Sequence, residues 1–221
     1  MAHQLRTPLA VLRLNVDLLQ NEIGHMLHGE NAEVFTEIQQ ATKRIRKYIE
    51  DVLYVGYVEI GDVRREPHDV QIIKCIEQVI AMYEYVAAEK KITIERNVGQ
   101  KKVELYEDPH LIRIVLDTIF SNAIKYSPKH GVIRISLQEK DHVVTVGIGD
   151  QGPGIPTELR QIIFDKYYRG HDAVKRHIKG EGVGLYLAHR VMSDFIGGTI
   201  RIRSNPSGKG STFYCDFPKN L

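Results

Sequence analysis

The sequence predicts a helical hairpin followed by an α+β two-layer sandwich. Over the first 60 positions the apolar residues recur only at helical spacing. From about residue 70 onward, helical runs are interspersed with short runs of period-two alternation, which describes helices laid against one side of a sheet. Between the two regions, GDVRREPHD (61–69) gathers the glycine, proline and charge of a linker. The expected division is therefore a hairpin over 1–60, a linker over 61–69 and a second domain over 70–221.

In the first helix Leu5, Leu9, Leu12, Val16 and Leu19 keep the helical period, and the stretch from His25 to Asn31 breaks it. A second run from Ala32 places Phe35, Ile38, Ala41, Ile45, Ile49, Val52 and Leu53 on one stripe. Asn31 is the expected N-cap and Gly29 the expected end of the preceding turn. Two helices of roughly 25 residues each span about 38 Å. A bare hairpin of that length leaves one apolar face uncovered, so a homodimeric four-helix bundle is expected.

In the second domain a helix is expected over 70–90, strands over 92–98 and 102–106, and a helix over 108–127 capped by Asp108 with Pro109 at its first position. A hairpin over 131–150, a helix over 184–196 and a hairpin over 198–218 complete the sandwich.

Composition sets the bounds. With 221 residues, 43% hydrophobic and 26% charged, the chain is globular, and a formal net charge of +2 is too small to argue for a nucleic-acid surface. No window approaches a membrane span and no signal peptide opens the chain. Cys75 and Cys215 lack metal-ligand spacing and are expected as small buried hydrophobes. His25 and His28, and likewise His171 and His177, lack a third ligand, so no metal site is expected at either pair. Arg44, Arg46 and Lys47 make a charged outer face on the second helix.

Three segments carry chemistry. Asn122, Lys125 and Tyr126 share one helix face, offering a magnesium ligand, a phosphate-neutralising cation and a ring to cover a base. Taken alone, the segment reads more readily as a solvated helix end. Asp150 ends an apolar strand and precedes Gly152 and Gly154. Such a carboxylate accepts from an exocyclic amine, although D-x-G-x-G is also a common turn. Gly180, Gly182 and Gly184 immediately precede a helix, where unpaired N–H groups favour phosphate. They do not follow a strand in a βαβ unit, which excludes the dinucleotide fingerprint.

Taken in order, AHQLRTPLAVL (2–12), SNAIKYSP (121–128), DQGPGIP (150–156), IIFDKYYRG (162–170), KGEGVGL (179–185) and GKGSTF (208–213) resemble the H, N, first glycine, F and second glycine boxes and the final hairpin of the sensor histidine kinases of two-component systems. The catalytic domain of that family is of the GHKL ATPase type, and the resemblance covers essentially the whole chain. It implies ATP and Mg²⁺ as cofactors, His3 as phosphoacceptor, and a response regulator receiver domain as the phosphate's destination. Asn122 matches the magnesium ligand, Lys125 and Tyr126 match nucleotide contacts, and Asp150 matches the adenine reader. Gly152, Gly154, Gly180, Gly182, Gly184 and Leu185 match glycine-box positions around the nucleotide. Arg169 matches an arginine that reaches the transferring phosphate, and residues 170–181 match the lid over ATP. Thr212 matches a hydroxyl facing the adenine pocket. Thr7 matches the position that orients water for dephosphorylating the regulator, which adds phosphatase activity to the expectation. Pro8 removes a donor to the carbonyl of Gln4 and is expected to kink the helix beside His3.

Gln4 and Thr118 depart from the pattern. Gln4 replaces a usually acidic residue that can take a proton, and Thr118 replaces a second N-box asparagine, so weakened metal binding is expected there. These departures motivate the alternative of a kinase-impaired nucleotide-binding scaffold; a GHKL ATPase that hydrolyses ATP for conformational work is a separate alternative, disfavoured by His3 in its H box. The resemblance also implies a cytoplasmic transmitter portion cut from a longer protein, with membrane attachment only through an upstream region.

Overall fold

The computed structural model describes residues 2–99, 102–170, 181–205 and 208–219. They form two compact units, residues 1–62 and 63–221. Among the described residues, no helix is long and apolar enough to cross a membrane.

The first unit is the hairpin of α1 (Ala2–Ile23) and α2 (Glu30–Ile60), joined through a 3₁₀ turn at Gly24–Met26. The α-helix of α1 runs through Pro8. The N-cap of α2 is Gly29, not Asn31, which lies inside the first turn. Gly29 has φ +58° and ψ −137°, a conformation essentially closed to residues with a Cβ, and its carbonyl accepts from Ala32 and Glu33. Glu30 and Glu33 then sit at the positive end of the helix dipole. At the other end Gly61 is left-handed, and the N–H groups of Gly61 and Asp62 close onto Val58 and Tyr57. A side-chain bond from Gln39 to Gln20, 2.8 Å, joins the two helices. Leu12, Leu14, Leu18, Leu19, Ile38, Ile45 and Val52 remain exposed.

In the second unit β2 (Thr93–Asn97), β4 (Val132–Lys140), β5 (Val143–Gly149), β7 (Ser211–Pro218) and β6 (Thr199–Ser204) form a five-stranded sheet in the order β2-β4-β5-β7-β6. The β2–β4 pair is parallel and the rest are antiparallel. On one sheet face the register aligns Val144 with Phe217, Val146 with Cys215, and Ile148 with Phe213, all buried. Helices α3 (Ile72–Glu89) and α4 (Pro109–Tyr126) supply Ile76, Ile80, Leu116 and Phe120 to the same core. Both cysteines are buried and unpaired, and burial pushes the Cys215 thiol up to about 12, so neither is a reactive thiolate near neutral pH.

Two elements differ from expectation. A strand β1 (His68–Gln71) begins inside the stretch read as linker and pairs antiparallel with β3 (Glu104–Glu107). Four residues are too few to show a period, and their partner lies more than 30 positions away. The expected helix over 184–196 divides into α5 (Gly184–Arg190) and a π-helical turn, Val191–Ile196. The extra residue of that turn delivers the chain to Gly197 in the left-handed region.

The start of α4 is fixed as its sequence indicates. Asp108 accepts from His110 N at 2.7 Å, with Pro109 following it. Its second oxygen accepts from the backbone of Glu66, and Arg65 forks onto buried Glu107 at 2.9 and 3.0 Å. The segment entering the second unit is thus bonded to the start of the helix whose far end carries Asn122, Lys125 and Tyr126.

Candidate functional site

The site forms where the far end of α4 meets three loops. Asp150 follows β5, and its N–H donates to Ser211 O at 2.9 Å while its Oδ1 accepts from Gly152 N at 2.6 Å. The carboxyl is buried, and that burial raises its pKa above the usual carboxylate range. Backbone N–H groups of Gly152, Ser211 and Asp150 itself oppose the rise.

The loop after Asp150 is pinned along its length. Gln151 Oε1 accepts from Val132 N at 2.9 Å, and Ile155 N donates to Ser211 Oγ at 3.0 Å. A Cβ on Gly152 would lie 2.8 Å from Asp150 Oδ1 and 3.0 Å from the Tyr126 carbonyl. Glycine therefore lets the first glycine box press against the end of the N box. Gly154 in turn packs against Gly210 of the final hairpin.

The F box meets the second glycine box directly. Tyr167 is left-handed, with φ +66°, and its N–H donates to Gly182 O at 2.9 Å. Gly182 has φ +72°, and a Cβ there would lie 2.6 Å from Tyr167 C. Phe164 stacks on His189 of α5 with centroids 4.8 Å apart. Arg169 is close enough to Tyr126 for its charge to lower the phenol's pKa, against a larger rise caused by burial.

Gly184, the first residue of α5, rests on Thr118: a Cβ there would lie 3.4 Å from Thr118 Cγ2. The threonine methyl supports the start of α5, a packing role that a longer amide would fill differently. Leu185 is half-buried in the first turn of α5, and Asn122 is half-buried on α4.

The structure thus brings Asn122, Lys125, Tyr126, Asp150, Gly152, Gly154, Arg169, Gly182, Gly184 and Leu185 into one neighbourhood. His3, Gln4 and Thr7 are in the first turns of α1, with their side chains outside the described residues. Gly180, His171 and His177 lie outside the described residues altogether.

Thr212 is not on the Asp150 side. It pairs with Gly149, opposite in sense to inward Phe213, and its hydroxyl donates to Asn205 Oδ1 at 2.7 Å on the uncovered face of the sheet. There it lines a 360 Å³ groove with Glu95, Arg134 and Tyr214. On the Asp150 side the strand instead presents Ser211, buried and bonded to the Asp150 loop. The alternation of STFYCDFP held the signal: Phe213, Cys215 and Phe217 facing inward put Ser211 inward too.

Residues 107–221 match the family model for histidine kinase-, DNA gyrase B- and HSP90-like ATPases, and residues 1–59 match the His kinase A (phospho-acceptor) domain. The chain belongs to the sensor histidine kinases. This transmitter core is 34% identical to the adaptive-response sensory kinase SasA of Trichormus variabilis, over 99% of its own length and 55% of that protein. It spans about half the length of SasA. Among solved structures, full-length ShkA in complex with AMPPNP aligns with all of the core and 45% of that chain, with TM-score 0.77 and 23% identity. Histidine kinase ThkA in complex with the response regulator TrrA aligns with all of the core and 61% of that chain, with TM-score 0.66 and 18% identity. At these identities the two structures bear on the fold.

Proposed function

We propose that the transmitter core moves the γ-phosphoryl group of ATP to His3 and then to an aspartate on the receiver domain of a separate response regulator. Asp150 carries the reading. A buried carboxylate at a strand end, with glycine-cleared backbone beside it, suits the exocyclic amine of adenine. Tyr126 and Arg169 lie at the same rim, where a ring and a cation serve a nucleotide. The matches to the histidine kinase-like ATPase and phospho-acceptor family models support the reading.

The donor set fits magnesium as well as nucleotide. Mg²⁺ prefers oxygen ligands and keeps several waters, so one amide carbonyl, from Asn122, suffices beside phosphate oxygens. When bound, the ion neutralises phosphate charge. Lys125 and Arg169 add charge that needs no metal.

In the transfer, a neutral imidazole nitrogen of His3 forms the N–P bond. The bond to the bridging oxygen breaks, and its electrons leave on ADP. The amide oxygen of Gln4 is able to accept an N–H from the other ring nitrogen but takes no proton. Gln4→Glu is therefore expected to raise the autophosphorylation rate about tenfold or more, on the scale of acid–base assistance. An unchanged or lower rate would refute that role. The exposed apolar residues of α1 and α2 support dimerisation through the hairpin, since one copy leaves them in water.

The decisive experiment uses γ-labelled ATP with magnesium. Acid-labile label on the protein, lost in His3→Ala, is expected. Acid-stable label, or ATP binding with no label, overturns the kinase reading.

A further inference from the structure

We infer that Lys90 is a positioning residue for the nucleotide site, holding the far end of α4 in the conformation that presents Lys125 and Tyr126. The inference rests on the ATP-binding reading above and extends it to a residue on another element.

Lys90 is the residue after α3, 35 positions before Lys125. Its ammonium donates to Ile124 O at 2.7 Å, Lys125 O at 3.0 Å and, more weakly, Ser127 O at 3.4 Å. The last carbonyls of a helix have no partner within it, and among the described residues a backbone N–H meets only that of Ala123, from Ser127. One cation therefore closes the final turn and complements the negative end of the helix dipole. The main chain of Lys90 is fixed in turn. Its N–H donates to Val86 O, and its carbonyl accepts from His130 N, in the turn that follows α4.

Across the turn, the first glycine box presses on Tyr126, within ordinary contact only because Gly152 lacks a Cβ. Lys125 and Tyr126 are thus held between an ammonium and a backbone. Ser127, the next residue, is buried, and among the described residues its hydroxyl has no partner. Without Lys90 the last turn can fray, and the two side chains leave the face they share with Asn122. A fixed Lys90 prepays that ordering before ATP arrives.

The test measures magnesium-ATP binding by calorimetry, autophosphorylation at saturating ATP, and apo melting temperature, all on the full chain. In Lys90→Met the dissociation constant is expected to rise about tenfold, while the saturated rate changes less than about threefold. Lys90→Arg, which keeps the charge and several donors, restores most of the affinity. A Lys90→Met protein that melts lower yet binds ATP like the wild type overturns the inference and leaves Lys90 a helix cap. If Lys90→Met does not fold, Lys90→Gln replaces it, and unchanged affinity there is equally fatal. Wild-type protein that binds no ATP overturns the site reading itself, a result distinct from wild-type binding that is insensitive to Lys90.

Discussion

Asp150→Asn should abolish useful ATP binding, raising the dissociation constant at least a hundredfold, while leaving the fold intact. The substitution keeps an oxygen for Gly152 N–H but turns an acceptor toward the adenine amine into a donor. Losing one bond to a charged group costs about 1.5–3 kcal/mol, and opposing two donors adds to that. At about 1.4 kcal/mol per decade, the sum reaches a hundredfold. Apo stability should hold or rise, because the wild-type protein buries a charge that the amide does not. Calorimetric titration with ATP, paired with thermal melting, checks both signs. Affinity within about threefold of wild type would remove Asp150 from the adenine site. The raised carboxyl pKa adds a pH signature. ATP affinity needs the ionised form, so it falls as pH drops through that raised value, earlier than an ordinary carboxylate would require. The group's contribution to apo stability has the opposite sign: it is fully present below the unfolded pKa and is lost as pH rises through the folded one.

Much of this site was legible because its signals are local. Asp108 and Pro109 announce the start of α4 within two residues, and the bond from Asp108 to His110 N is the physical content of that signal. The glycine boxes are equally local, since a missing Cβ is visible in the sequence even when the atom it avoids is not. What stayed hidden depends on distant partners. Strand β1 exists because β3 pairs with it, and nothing in HDVQ alone specifies that. Lys90 reads as one more surface lysine until the carbonyls of Ile124 and Lys125 are seen beside it. The exchange of Thr212 for Ser211 is different in kind. Residue type within the motif points to the bulkier hydroxyl, whereas strand alternation, also local, points to the inward one.

The same hairpin sets the second large expected effect. Gly210 is left-handed, with φ +80°, and a Cβ there would lie 2.7 Å from the Asp150 carbonyl carbon and 2.8 Å from Gln151 Cα. Those neighbours are backbone, so no rotamer change relieves the contact. The Asp150 carbonyl is also held by Asn205 Nδ2 at 2.6 Å, which blocks an easy shift. Gly210→Ala should therefore cost about 3 kcal/mol or more, combining left-handed strain of about 1–2 kcal/mol with displaced backbone. At about 2–4 °C per kcal/mol for a chain of this size, melting should fall by roughly 6–12 °C. Because the atom that must move belongs to Asp150, ATP affinity should collapse along with stability. Gly208 supplies the control two residues away. It too is left-handed, at φ +71°, but nothing lies within 4 Å of its Cβ position. Gly208→Ala should cost only the conformational strain, about 1 kcal/mol, and leave ATP affinity unchanged. Equal losses in the two variants would mean that backbone strain alone acts at this turn, and that Gly210 does not set the distance between the final hairpin and Asp150.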